Sequence, residues 1–431
     1  LGANEIYDIV KFQVSGKTIA APLATTVSVG DEAWVTPMPK SGNAEKADVS
    51  SVEKFMDKYN YTILKSSATD KLNGAPVFNA KGQVIGLFNS AGESQSSTDA
   101  NYAKDFVVKG LSQNDITLRQ SNIRIGLPNT VEEAVVALML SSEKPTNIHE
   151  AIVNEFISKF PQANDGYYAL ANIQVAKGEF ANADKTMQTA ISKVSAKDEA
   201  HYNFARLIYR NALIQEFAEK TKSVGWTLDK ALDEIKKAET TKANDAYRHL
   251  QAQIIYAKGD YAKAYTEFEA LTKTKFNNPE LYLEMAQSRQ HLGANDQEIL
   301  DLLNKSIELC DTPYVSTSAP YFYTRGQQLE KMGEFRKAVQ DYYTYEYFNQ
   351  GRLGAAFYYM REQCEVKGRM WQQALQDILI ASQLDPKEAL YPTEAGSLLL
   401  RLNKVDAAIS AAQQAIQLDA SQPDAHLILG I

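Results

Sequence analysis

The sequence predicts a multidomain α+β protein, an antiparallel β domain followed by an all-α array of stacked helix pairs. Three observations carry this. Between Ala319 and Ala425 one pattern returns three times, about 35 residues apart. Residues 1–118 instead hold short runs rich in Val, Ile, Phe and Tyr, separated by turn residues. And 431 residues are too many for one compact core.

The repeating stretch reads APYFYTRGQQLEKMGEFRKAVQDYYTYEYF, then AAFYYMREQCEVKGRMWQQALQDILIASQLDP, then LYPTEAGSLLLRLNKVDAAISAAQQAIQLDA. Aligned on Gly333, Gly368 and Asn403, the units share small residues in their second halves: Ala338, Ala374 and Ala408, then Ala381 and Ala415, with Tyr345 in the first unit. Gly326, Arg361 and Gly396 stand seven residues before the alignment points. Each unit reads as two amphipathic helices. Small residues let the pair approach, Tyr342 and Ile378 fill the space between them, and Gly333, Gly368 and Asn403 supply a left-handed turn. Pro386 ends the second helix of the middle unit. One pair cannot bury its apolar face alone, so successive pairs must stack.

With this period and these positions the units resemble the tetratricopeptide repeat (TPR). The resemblance implies a superhelix whose first helices line a groove for a peptide or a partner helix. Groove positions on that register are Tyr168, Asn172, His249, Gln253, Tyr256, Tyr323, Gln327, Glu330, Lys331, Tyr358, Glu362 and Arg401. Their tyrosines suit contact, with large area and few torsions, and equally suit plain packing between helices.

In chain order, residues 1–118 form the β domain. Strands are expected in EIYDIVKFQV, AWVTPMP, YTILKS, PVFNA and QVIGLFN, and PVFNAKGQVIGLFN reads as a hairpin with a four-residue loop. SSVEKFMDKYN suits either a short helix opened by a Ser50-x-x-Glu53 capping box or a twisted strand pair. The polar stretch Ser90–Ala100 reads as a loop. Residues 119–130 are a linker, with Pro128 and a Thr130-x-x-Glu133 capping box opening the helices. Residues 131–431 hold about eight repeats, the third stretched between Asp198 and Trp226, and the chain ends inside the first helix of a ninth. Both termini read as cut.

KLNGAPVFNAKGQVIGLFN is similar to the segment around the nucleophile of trypsin-like serine proteases. It keeps Gly74, Pro76, Val77, Phe78, Gly82, Val84, Ile85 and Gly86. NEIYDIVKFQV resembles the strand bearing the triad aspartate, which would fall on Asp8. NYAKDFVVKGL resembles the closing strand and the start of the final helix. The resemblance covers roughly residues 4–112 and implies the second β-barrel of a two-barrel domain; a β domain of another kind is the alternative. The departures imply an inactive site. Asn73 holds the nucleophile position, and an amide cannot be deprotonated to attack a carbonyl. Lys71 replaces a glycine where the family builds its oxyanion hole. All five histidines lie outside the β domain, at positions 149, 201, 249, 291 and 426.

No phosphate-binding glycine loop, H-E-x-x-H or C-x-x-C occurs, so no cofactor and no metal are expected. Cys310 and Cys364 read as buried thiols. A net charge of −8, without a basic stripe, argues against nucleic acid. No apolar run is long enough to span a membrane. The expected function is a non-catalytic TPR scaffold binding a protein or peptide. The alternatives are an accessory subunit of a proteolytic complex that holds peptides through the β domain, and an active protease completed by a segment before Leu1. The protease resemblance favours a periplasmic or secreted site.

Overall fold

The computed structural model describes residues 2–4, 9–11, 16–37, 42–107 and 125–430. These fall into two compact units, residues 1–200 and 201–431.

In the first unit, β1 (Gly2–Asn4) pairs antiparallel with β2 (Ile9–Lys11). A six-stranded antiparallel barrel follows: β3 (Glu32–Val35), β4 (Glu45–Phe55), β5 (Tyr59–Ser66), β6 (Pro76–Asn79), β7 (Val84–Ala91) and β8 (Ser94–Asp99). Around the barrel the order is β3, β4, β5, β8, β7, β6, closed by pairing of β6 with β3. Alternate side chains point inward, and Ala33, Val35, Ala47, Val49, Leu64, Val77, Ile85 and Phe88 form the filling. The β6–β7 hairpin has the expected four-residue loop, residues 80–83, whose ends are joined by the bond from the Asn79 N–H to the Gln83 carbonyl (2.9 Å).

For this domain one open reading is settled and two expectations are corrected. SSVEKFMDKYN takes the strand-pair form of its two readings, with Ser50 and Glu53 in β4, and the Ser50 hydroxyl donates across the sheet to the Ile63 carbonyl instead of capping a helix. Ser90–Ala100 is no loop but the end of β7, a tight turn and β8, where Ser96, Ser97, Thr98 and Asp99 are buried. β8 lies between β5 and β7, and the start of NYAKDFVVKGL, expected as the closing strand, is instead helix α1 (Ala100–Asp105), capped by the Asp99 carboxylate. Asp8 and residues 108–124 lie outside the described residues.

Four helices complete the first unit: α2 (Val131–Ser141), α3 (Thr146–Lys159), α4 (Asn164–Ala176) and α5 (Phe180–Lys193). Thr130 is the N-cap residue of α2, but its side chain makes no capping bond. Helix α6 (Lys197–Ala212) runs across the boundary into the second unit. There the stretched third repeat continues through α7 (Ala218–Ser223) to α8 (Leu228–Thr241). Regular hairpins follow: α9 (Asp245–Ala257) with α10 (Tyr261–Thr272), α11 (Pro279–His291) with α12 (Asp296–Glu308), and α13 (Ala319–Lys331) with α14 (Phe335–Phe348). Then come α15 (Ala355–Lys367) with α16 (Trp371–Leu384), α17 (Leu390–Arg401) with α18 (Val405–Leu418), and α19 (Pro423–Gly430).

From α9 on, each second helix packs on its own first helix and on the next one, which is the stacking a long helical repeat region requires. Ala264, Ala338, Ala374, Ala381, Ala408 and Ala415 are fully buried at these contacts, as are Tyr342 and Ile378. Gly333 and Asn403 take the left-handed turn, with φ of 79° and 58°. Gly368 does not: it ends α15 in right-handed geometry, and Arg369 adopts φ 58° instead. The true register is therefore Gly333, Arg369, Asn403. It puts Glu362, not Arg361, at the position where Gly326 and Gly396 sit in the neighbouring units.

Candidate peptide-binding face

The first helices of the regular hairpins share a polar position. Helices α9, α11, α13 and α15 are all 13 residues long, and their ninth residues are Gln253, Gln287, Gln327 and Gln363. In α4 of the first unit the same position holds Asn172. The eighth residue is small and buried against the second helix, as Ala252, Ala286 and Gly326 show. A step of one residue turns the side chain by about 100° and brings the amide out of that packing. Gln253 and Gln287 are half-buried and Gln327 is exposed. Gln287 and Gln327 line one cavity of about 210 Å³ with Gln290, Thr324, Gln328 and Lys331.

Beside this row, α9 and α11 hold a buried polar cluster. His249 Nε2 lies 2.6 Å from Glu284 Oε2, and the Gln253 amide donates to Glu284 Oε1 at 2.7 Å. Burial alone would lower His249, but the Glu284 carboxylate outweighs it and holds the imidazole above its usual range. Tyr209 of α6 and Tyr321 of α13 feel the charges of Glu280 and Glu284; burial and these carboxylates push the Tyr321 hydroxyl up to about 12. A second cavity of about 210 Å³ opens here, lined by Tyr202, Arg206, Tyr209, Arg210, His249, Gln253 and Phe276.

The expected groove residues divide. His249, Gln253 and Tyr256 share α9, with Tyr256 against the His291 and Tyr261 rings. Gln327 and Lys331 are exposed on α13, where Lys331 pairs with Asp296 at 2.7 Å. Glu330 is engaged by the Tyr342 hydroxyl (3.0 Å) and Lys367 (2.9 Å). Tyr323 packs against the rings of Tyr342 and Tyr345. In the first unit Tyr168 is half-buried, and Asn172 donates to the Tyr168 carbonyl at 2.7 Å. Arg401 is exposed over the Trp371 ring. Tyr358 and Glu362, at 9% and 0% exposure, offer a partner almost no surface.

Tyr358 belongs to a buried charge network beside Glu362 that sequence reasoning missed. Arg361, 1% exposed, reaches from α15 to both oxygens of Asp377 on α16 (2.5 and 2.8 Å) and to Glu346 on α14 (2.7 Å). The Tyr343 ring covers its guanidinium at 4.1 Å, and Tyr358 donates to Glu346. One hairpin earlier, Arg325 of α13 grips Asp341 of α14 through two 2.8 Å bonds and reaches Asn304 of α12. An Arg and an Asp 16 residues apart, recurring 36 residues later, is a pattern the sequence displays. Glu284 and Tyr209 carry no such signal, because three separate helices bring them to His249.

In the barrel, Asn73 sits between a single 3-10 turn (Asp70–Leu72) and β6. Its carbonyl oxygen accepts from the Ser90 N–H at 2.7 Å and its amide donates to the Ser90 carbonyl at 3.4 Å. The Asn73 N–H is bound to the Asp70 carbonyl (3.0 Å) and the Gly74 N–H to the Phe88 carbonyl (2.8 Å). The side chain thus staples the turn to β7, and both nearby N–H donors are spent on the main chain.

No family model and no curated protein matches the sequence. Among solved structures the chain is similar to the Cut9–Hcn1 hetero-tetramer of the APC/C, at 14% identity over 77% of this chain and 58% of that one (TM-score 0.39). It is also similar to the C-terminal part of a TPR repeat-containing protein from Cytophaga hutchinsonii, at 15% identity over 61% of this chain and all of that one (TM-score 0.44). A third is a monomeric mutant of IFIT1 with Gppp-AAAA, at 14% identity over 67% and 63% of the two chains (TM-score 0.43). No helix among the described residues is long and apolar enough to cross a membrane.

Proposed function

We propose that the protein is a non-catalytic scaffold that holds an extended peptide along the first helices of its TPR-like repeats. The observation that carries this is the row of glutamines at one register on α9, α11 and α13. A side-chain amide has a donor and an acceptor, matching the N–H and C=O of a peptide main chain. Helix spacing of about 8–10 Å suits contacts at intervals along an extended strand. Two such bonds per glutamine, each worth about 0.7 kcal/mol net, amount to roughly tenfold in affinity.

The β domain, residues 1–118, is in this reading a trypsin-like barrel that no longer cleaves, joined by 119–130 to the helical part, 131–431. Support comes from Asn73, from the spent backbone donors beside it and from the lack of histidine in that segment. Peptide capture by strand addition needs an open sheet edge. The six barrel strands close on themselves, so the helices are the better host.

The test is selection of random displayed peptides on the full chain, followed by Gln287→Ala and Gln327→Ala. The double variant should bind selected peptides at least tenfold more weakly while its melting stays unchanged. Undiminished affinity would remove the amide row from the mechanism. Labelling of the chain by a fluorophosphonate probe would overturn the inactive reading of the barrel.

A further inference from the structure

We propose that His249, Glu280 and Glu284 form a binding site for one divalent transition-metal ion of the zinc class. Their nitrogen and oxygen donor atoms lie within 4.8 Å of one another. Tetrahedral zinc holds such donors at about 2.0–2.2 Å, which sets ligand atoms around one ion about 3.3–3.6 Å apart. Closing on one ion draws the widest pair together by up to about 1.5 Å and opens the 2.6 Å His249–Glu284 contact by about 1 Å, changes that side-chain rotation supplies.

The scaffold explains the convergence. Glu280 and Glu284 are four residues apart near the start of α11 and so share a face. His249 comes from α9, the first helix of the preceding hairpin. Their orientations are supported from outside. The Gln253 amide fixes one oxygen of Glu284 at 2.7 Å, and Phe268 and Phe276 pack on the imidazole with ring centroids 5.9 and 5.3 Å away. Outer contacts of this kind set ligand geometry in metal sites.

The chemistry of the set is informative. One imidazole and two carboxylates suit zinc, manganese or iron(II) better than calcium, which takes oxygen donors alone. A dication neutralises two neighbouring carboxylates, Glu284 half-buried and Glu280 exposed. Three protein ligands leave a fourth position. His249 also lines the cavity walled by Tyr202, Arg206, Tyr209 and Arg210, so the open position has room for water or an anionic group.

The site shares Gln253 with the proposed peptide row, but its three ligands lie outside the row and metal binding is measured without peptide. Tag-free full-length protein is stripped with chelator and titrated with Zn²⁺ by calorimetry and with Co²⁺ by visible absorption. We expect one tight equivalent, visible d–d bands and a raised melting temperature. Glu280→Gln, at an exposed position, and His249→Gln should each weaken Zn²⁺ binding at least tenfold, with an unchanged far-UV spectrum. No binding in the parent, or parental affinity in Glu280→Gln, would overturn the site and assign any bound zinc to other histidines.

Discussion

The hairpins α13–α14 and α15–α16 start from the same device and end in different places. In both, an arginine of the first helix grips an aspartate of the second and reaches back to the preceding helix. At Arg325 the third partner is neutral Asn304; at Arg361 it is charged Glu346. The next residue differs too. Gly326 receives the Tyr342 ring, and a Cβ there would meet that ring at 2.7 Å. Glu362 takes this place one hairpin later, where Ile378 replaces the tyrosine. The smaller filling makes room for a carboxylate. The result is that α13 keeps polar groups on its outer surface, whereas α15 turns Tyr358, Glu362 and Glu365 inward. The same repeat position thus accepts either a glycine under a tyrosine ring or a buried carboxylate beside an isoleucine.

The largest effect should follow from breaking the two clamps. Arg361→Met strands Asp377 and Glu346 in a buried setting and should cost about 3–5 kcal/mol. Arg325→Met, where the guanidinium is partly exposed and one partner is neutral, should cost clearly less. Urea melts of both variants measure the difference; equal losses would erase the contrast.

The stored charge should make α15 sensitive to pH. Burial raises Glu362 to about 7, with Glu394 and Asp377 adding to it, and raises Glu365 to about 8, with Asp377 adding. One oxygen of each is buried without a hydrogen-bond partner. A carboxyl raised above its ordinary value of 4.5 binds its proton more tightly in the fold. Its stabilisation is complete below about pH 4.5 and is lost as pH rises through about 7 and about 8. Over that range the loss is on the order of 3 kcal/mol for Glu362 alone. Glu362→Gln with Glu365→Gln should flatten the decline between pH 6 and 8.5, measured by chemical denaturation; an unchanged slope would show that both are ionised in the fold.

Smaller changes sharpen the register. Gly326→Ala forces a methyl onto the Tyr342 ring and should cost about 1–3 kcal/mol. A parallel Tyr342→Ile change should relieve part of that cost. Arg369→Gly removes a side chain from a left-handed turn and should stabilise by about 1 kcal/mol. A loss of stability there would mean that the Arg369 side chain contributes more than its backbone costs.

Much of this was legible in the residues. The β6–β7 hairpin announced itself through its apolar flanks and the Asn79–Gly82 turn. The buried alanines and the Gly178, Gly259, Gly293 and Gly333 turns marked the helix pairs. Strand β8 was hidden because Ser94–Asp99 is polar; Gln95 and Ser96 satisfy themselves inside the sheet by bonding Ser66, Ala68 and Tyr61. Gly368 misled because glycine is the usual left-handed residue, and a helix end shifted by one residue passes that role to Arg369. Cys310 proved half-buried, while Cys364 is buried and pushed up to about 12. The Glu280–Glu284–His249 cluster depends on two hairpins stacking, which local pattern cannot reveal.

The most direct test of the account is amide hydrogen exchange of the full chain with and without a selected peptide. Binding along the amide row predicts added protection in α9, α11 and α13, with α15 and the barrel strands unchanged. Protection confined to the barrel, or spread over α15 and absent from α11 and α13, would contradict it.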